Sequence, residues 1–297
     1  MTESATITVR TADDRELEVF VEGPEDGLVL LFHGGTPSAF HRFALLSEAA
    51  AERGLRLVMS SRPGYGESTP DPGRSVAAVA ADSTAILDTL GADRFVTLGW
   101  SGGGPHALAC AALLPERCAA AAVLAGVAPY GAEGLDWLGG MGPENVEEFG
   151  AAQAGVDTLT PYLENQREQL RDVTSDQVAG ALGGLVSDVD KAALTGDFAE
   201  YVAGSFRRAV LHGIAGWRDD DLAFAAPWGF KLDPMQVPVA IWQGREDRMV
   251  PYDHGVWLAD HVAGATSHLY PDEGHVSLIQ RTADILDDLG ELSALRR

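Results

Sequence analysis

The chain has 297 residues, 46% of them apolar, enough for one sizeable core or two modest ones. Its 21 Lys and Arg face 44 Asp and Glu, a formal net charge of −23, so phosphate backbones and anionic lipid surfaces would repel it, and neither nucleic acid nor membrane is an expected partner. The start lacks a basic stretch leading into an apolar run, no segment approaches the ~20 apolar residues of a membrane span, and Cys110 and Cys118 lack the spacing of a disulfide framework or zinc-thiolate site, so the expectation is a soluble cytoplasmic protein.

Residues 6–10 and 17–21 alternate apolar and polar side chains, which predicts a two-stranded antiparallel start. The runs that follow, 28–32, 57–59, 95–100, 120–124 and 237–242, are continuously apolar, as central parallel strands covered on both faces must be. A last short run, 267–270, makes eight strands. Helical patterns fill the gaps at 40–53, 75–90, 102–114, 252–263 and 276–295. The alternation predicts a doubly wound α/β fold, a mostly parallel eight-stranded sheet with helices on both faces.

The rhythm breaks between Tyr130 and about Asp233, where the pattern is almost wholly helical. Thr174 and Gln177 have capping-box spacing, and Asp197 is placed to cap a helix carrying Phe198, Tyr201, Val202, Phe206, Ala209, Val210 and Ile214. An insertion of this length is too long for a loop. The expected division is therefore a core of 1–130 with 234–297, and a helical subdomain of 131–233. The subdomain holds 18 acidic and 7 basic residues, and that acidity is read as solvated surface. Its aromatics, Trp137, Phe149, Tyr162, Phe198, Tyr201, Phe206, Trp217 and Trp228, have core spacing.

Gly99-Trp100-Ser101-Gly102-Gly103 matches G-x-S-x-G between a strand pattern and an apolar helix pattern. Small neighbours are required there because a Cβ two positions away would collide with backbone in so sharp a turn. The turn also places the hydroxyl at a helix N-terminus, where free N–H groups favour developing negative charge. A serine needs a base. Of eight histidines, His275 in Asp272-Glu273-Gly274-His275 follows the last strand, at the same carboxyl edge as Ser101, where ligands bind in such sheets. His106 falls inside a helix, His254 and His261 on a surface helix, and His268 in a strand with a partly buried structural role. The base needs an acid to orient it. Asp247 and its competitor Glu246 follow the strand ending at Trp242, and Ser101, Asp247, His275 is the chain order this scaffold requires. His33-Gly34-Gly35-Thr36-Pro37 ends the third strand; bare glycines there let a backbone N–H face the cleft, so Gly35 and Gly102 are the expected oxyanion donors. His33 is expected to brace that loop.

Four separated blocks, His33-Gly34-Gly35, Arg62-Pro63-Gly64-Tyr65-Gly66-Glu67-Ser68, the serine elbow, and the Asp247 and His275 loops, resemble the α/β-hydrolase superfamily over essentially the whole chain. The resemblance implies a Ser–His–Asp triad, a two-donor oxyanion hole and a helical cap after strand six, where 131–233 falls. Within the superfamily the chain is similar to capped esterases and proline iminopeptidase-type enzymes. It departs from the peptidase pattern at Thr36-Pro37 and in the order of its elbow residues. The expected activity is hydrolysis of a small or medium carboxylic ester through an acyl-enzyme, with a small-molecule substrate, no cofactor and no metal. The alternatives are an aminopeptidase or amidase, whose substrate amine the acidic cap could hold, a cofactor-free perhydrolase, a carbon–carbon bond hydrolase and a non-catalytic ligand-binding receptor. Asp219-Asp220-Asp221 is rejected as a metal site, since three adjacent acids on a helix cannot converge on one ion.

Overall fold

Strands β1 (Ser4–Arg10) and β2 (Glu16–Glu22) pair antiparallel in the computed structural model, which describes residues 4–295. They lead into β3 (Val29–His33), β4 (Arg56–Ser60), β5 (Phe95–Trp100), β6 (Cys118–Leu124), β7 (Val239–Gly244) and β8 (Thr266–Tyr270). The eight form one sheet in the order β1-β2-β4-β3-β5-β6-β7-β8. β2 joins β4 antiparallel, and all pairs from β4 to β8 are parallel. The eight strands and their directions are those the alternation and the continuous runs predict.

Every residue of β3, β5, β6 and β7 is buried. The reason lies in the side-chain period of two. Val29 and Leu31 join one apolar cluster, while Leu30 and Phe32 join a second on the other face. Helices α1 (Ala44–Glu52), α2 (Val79–Thr89) and α3 (Gly103–Leu113) alternate with these strands. α10 (Tyr252–His261) lies between β7 and β8, and α11 (Thr282–Ala294) follows β8. No described helix is long and apolar enough to cross a membrane.

The chain reverses its direction of winding between β3 and β5, since β4 lies on one side of β3 and β5 on the other. His33 and Gly99 stand opposite each other in that pair. The loops after β3 and β5 therefore leave the sheet side by side, at the switch point where α/β sheets open a ligand crevice.

Between β6 and β7 run α4 (Pro143–Ala154), α5 (Val156–Leu170), α6 (Val178–Ala181), α7 (Asp188–Ala193), α8 (Gly196–Ala209) and α9 (Ala215–Phe224). α8 turns Phe198 and Tyr201 onto the sheet side, and the Tyr201 ring stacks on Phe43 at 4.1 Å between centroids. Such a pair adds about 1 kcal/mol beyond its buried area.

Local capping differs from the expectation. The Gln177 side chain accepts from the Thr174 N–H at 3.1 Å, but the Thr174 hydroxyl turns to Asp176 at 2.6 Å, so the box is half formed. The complete capping box belongs to Ser187 and Asp190 at the start of α7. Asp197 lies in the first turn of α8, and Thr195 occupies the N-cap position. His254 is fully buried rather than on the surface. One of its ring nitrogens takes the Ala128 N–H at 3.0 Å, and the other meets the Trp137 carbonyl at 2.8 Å. Its side of α10 faces the loop after β6, which the helix pattern alone could not specify. Burial lowers this histidine to about 4.

Candidate active site

Ser101 adopts φ +57°, a left-handed conformation that non-glycine residues rarely hold. Its N–H donates to the Leu124 carbonyl at 2.8 Å and its own carbonyl accepts from Gly104 at 2.8 Å, so both sides of the turn are pinned. The small residues follow from the geometry: a Cβ on Gly99 or Gly103 would fall on the carbonyls of Gly103 or His33. The side chain sits at the N-terminal end of α3.

His275 stands on the loop after β8, its ring buried. Nδ1 is 2.8 Å from Asp247 Oδ2. An ionised carboxylate only accepts, so Nδ1 carries the proton and Nε2 presents a lone pair. Asp247, and not Glu246, is the acid in contact. Asp247 also accepts from the Gln243 side chain at 3.0 Å and from the N–H groups of Met249 and Val250 at 2.9 and 2.8 Å. Burial raises its carboxyl, against the pull of His275 and these donors. For His275 burial works downward, but the charge and hydrogen bond of Asp247 outweigh it and draw the imidazole above its ordinary 6.5.

The loop after β3 is held from behind. Arg62 donates to the carbonyls of Gly34 at 2.6 Å and Gly35 at 2.7 Å, and to the Thr36 hydroxyl at 3.0 Å. C=O and N–H point in opposite directions across a trans peptide. Fixing the Gly34 carbonyl on Arg62 thus turns the Gly35 N–H away from it. Likewise the Ser101 carbonyl, engaged by Gly104, turns the Gly102 N–H outward. Gly35 lies against the serine, so that a Cβ there would come within 3.2 Å of Ser101 Cβ.

His33, expected to brace this loop, does not. It is buried with Nε2 3.6 Å from Cys110 Sγ and its ring beside His106, and Arg62 does the bracing. His106 donates to the Gly102 carbonyl at 2.8 Å from within α3, and burial lowers it to about 3. His268 stacks on Trp242 at 3.9 Å and meets Asp288 at 3.0 Å, the structural role expected for it.

Gly35, Trp100, Ser101 and His275 share the wall of one cavity of about 140 Å³ with residues of α4, α5, α8 and α9. A void of this size accommodates a benzene-sized group. Of the helical segment's aromatics, Tyr162, Tyr201, Phe206 and Trp217 reach this wall.

The acidity of the helical segment is not all solvated surface. Asp190, Asp219, Asp220 and Asp221 are buried, each with different partners. Asp190 accepts from the backbone N–H groups of His275, Val276 and Ser277 at 3.2, 2.7 and 2.9 Å. Asp219 meets Arg218 at 3.0 Å, and Asp220 meets Arg62 and Arg74 at 2.6 Å. Asp221 faces Glu148 on α4, which takes the Trp217 indole N–H at 2.8 Å. Burial raises Glu148 to about 7 and lifts Asp221 as well. Among the described residues no group of three His, Cys, Asp or Glu could hold a metal ion.

The sequence model for the alpha/beta hydrolase fold matches residues 27–282. The chain belongs to the α/β-hydrolase family. Similar hydrolases include a 2-hydroxy-6-oxononadienedioate/2-hydroxy-6-oxononatrienedioate hydrolase of Klebsiella pneumoniae, 26% identical over 92% of this chain and 91% of the relative. A non-heme chloroperoxidase of Streptomyces lividans is 29% identical over 90% and 92%. In structure, this α/β hydrolase is similar to an enol-lactonase from Burkholderia xenovorans, with TM-score 0.68, 18% identity, and 97% and 100% coverage. An esterase from Exiguobacterium antarcticum aligns with TM-score 0.67, 15% identity, and 98% and 100% coverage.

Four residues that hold the candidate site in place were not given that role from sequence: Arg62, Asp190, Gln243, and Asp220, which was considered only as a metal ligand. Arg62 lay inside a noted motif. For Asp190 the available signal was its capping box with Ser187, which indicates a helix start and says nothing of the His275 loop.

Proposed function

We propose that this α/β hydrolase cleaves a small, uncharged carboxylic ester through an acyl-enzyme. Ser101 attacks the carbonyl, His275 Nε2 takes its proton and returns it to the leaving alcohol, and Asp247 holds the imidazole in the productive tautomer. The N–H groups of Gly35 and Gly102 stabilise the oxyanion, and water repeats the sequence to release the acid. Residues 131–233 act as the cap that closes the acyl pocket. The observation that carries this reading is that His275, hydrogen-bonded to Asp247 at 2.8 Å, lines the same cavity as a strained serine.

The cavity also speaks to charge. Among the described residues lining it, Glu144 and Glu148 are the acids, and neither lysine nor arginine is present. A dicarboxylate of the kind named for the Klebsiella relative would meet the Glu144 carboxylate, with Glu148 adding charge only as it ionises, and would find no cation there. A neutral ester meets neither difficulty.

A fluorophosphonate should label Ser101 stoichiometrically, and Ser101→Ala should abolish both labelling and turnover of short aryl esters. Turnover retained in Ser101→Ala refutes the assignment. Running a graded series of acyl chains beside proline anilide and a peracid assay separates ester chemistry from the peptidase and perhydrolase alternatives.

A further inference from the structure

Asp220 on α9 takes no part in the acyl-enzyme steps themselves. Asp220 is fully buried and accepts five hydrogen bonds. Its Oδ2 takes the Thr36 hydroxyl at 2.9 Å, Arg62 Nε at 3.1 Å, Arg62 Nη2 at 2.6 Å and the Tyr65 hydroxyl at 2.9 Å. Its Oδ1 takes Arg74 Nη2 at 2.6 Å. These donors come from the loop after β3, from the Arg62-Pro63-Gly64-Tyr65 segment after β4, and from the chain before α2. One side chain of the helical insertion thus ties together three segments of the sheet's carboxyl edge.

The tie ends at the reacting atoms. Arg62 is fixed by Asp220 at Nε and Nη2, and its Nη1 and Nη2 hold the Gly34 and Gly35 carbonyls. The Gly34 carbonyl in turn sets the direction of the Gly35 N–H. On the other flank, Phe224 of the same helix stands edge-on to His106, which holds the Gly102 carbonyl. A Cβ on Gly102 would come within 3.1 Å of Phe224. α9 is moreover seated on the Arg62–Tyr65 segment, where the Gly216 N–H donates to the Gly64 carbonyl at 3.2 Å. Two cations beside a buried carboxylate also keep it ionised; burial opposes this, but Arg62 and Arg74 hold Asp220 far below the usual carboxylate range.

We propose that Asp220 is a positioning residue for catalysis: acting through Arg62 and Thr36, it aims the Gly35 N–H at the oxyanion, so that the helical insertion is part of the machinery of the chemical step and not only a lid over it. The proposal rests on the serine-hydrolase reading above. A donor misaimed by an ångström stabilises the tetrahedral state poorly while leaving substrate binding nearly intact. Loss of Asp220 should therefore fall on kcat and spare KM.

The experiment measures kcat and KM of Asp220→Asn and Arg62→Lys on a short aryl ester, with rates normalised to the serine labelled by a fluorophosphonate. The affinity of a boronic acid, whose tetrahedral adduct places an oxygen at the oxyanion position, is measured alongside. In both variants kcat per labelled serine should fall roughly 10- to 100-fold, with KM changed less than about threefold and boronate affinity falling in step with kcat/KM. Arg62→Lys keeps the charge opposite Asp220 but cannot span both glycine carbonyls, so it decides the matter if Asp220→Asn does not fold. Native kcat per labelled serine in either folded variant overturns the inference, as does a loss confined to KM or to the fraction labelled. Turnover retained in Ser101→Ala would instead overturn the underlying reading, and that result is independent of these two.

Discussion

Ser101, Asp247 and His275 are separated by 146 and 28 positions in the chain, and each is oriented by its own hydrogen bonds. For His275 the balance is between burial, which disfavours the imidazolium, and Asp247, which favours it more strongly. As general base the imidazole must be neutral, so kcat/KM falls as pH drops through its raised value. The acid limb of a pH–rate profile is expected above the ordinary 6.5. In Asp247→Asn burial is opposed only by the smaller pull of Asp190. The limb should then move below 6.5, and kcat should fall by about 10⁴-fold because the wrong tautomer is favoured. A profile between about pH 5 and 9 checks both. These residues were legible because their chemistry needs particular residue types at strand ends, in a fixed chain order. Glu246 and Asp247 could not be separated by sequence, since adjacent side chains leave a turn in different directions. Only the turn's path decided for Asp247, which the Met249 and Val250 N–H groups and Gln243 hold in place.

At the scale of elements, the central strands β3 to β7 were readable from their runs of apolar residues, since a strand covered on both faces cannot afford polar positions. Helix existence was readable too. Helix ends were less so: Asp197 and Thr195 both suit an N-cap, and the backbone path chose Thr195. The face a helix turns inward was hidden where polar residues are buried, as with His254 on α10 and Asp219, Asp220 and Asp221 on α9. α7 is the clearest case. Six residues long, it carries Asp190, whose carboxylate takes three backbone N–H groups of the His275 loop. Asp190→Ala should leave those donors unsatisfied and cost about 3 kcal/mol or more. Urea unfolding monitored by tryptophan fluorescence measures that loss.

Over the whole molecule, a net charge of −23 sets a background of self-repulsion. Part of it is absorbed in buried pairs such as Arg62 and Arg74 with Asp220, but exposed carboxylates remain in excess. Raising the salt concentration from ~0.05 to ~0.5 M shortens the screening length to a few ångströms and should raise the melting temperature by roughly 2–4 °C. An unchanged or lower value would mean that attractive surface pairs dominate.

The order of apolar runs, the glycines around Ser101, and the acid and base at successive strand ends already determined the α/β-hydrolase fold and which side chains to propose as the reacting ones. Both depend on local rules, namely strand periodicity and the residue types a tight turn or a proton transfer will tolerate. The tertiary structure alone decided where the insertion's carboxylates go. Its buried aspartates bind segments remote in the chain, and a carboxylate in the sequence looks the same whether water or three backbone amides will solvate it.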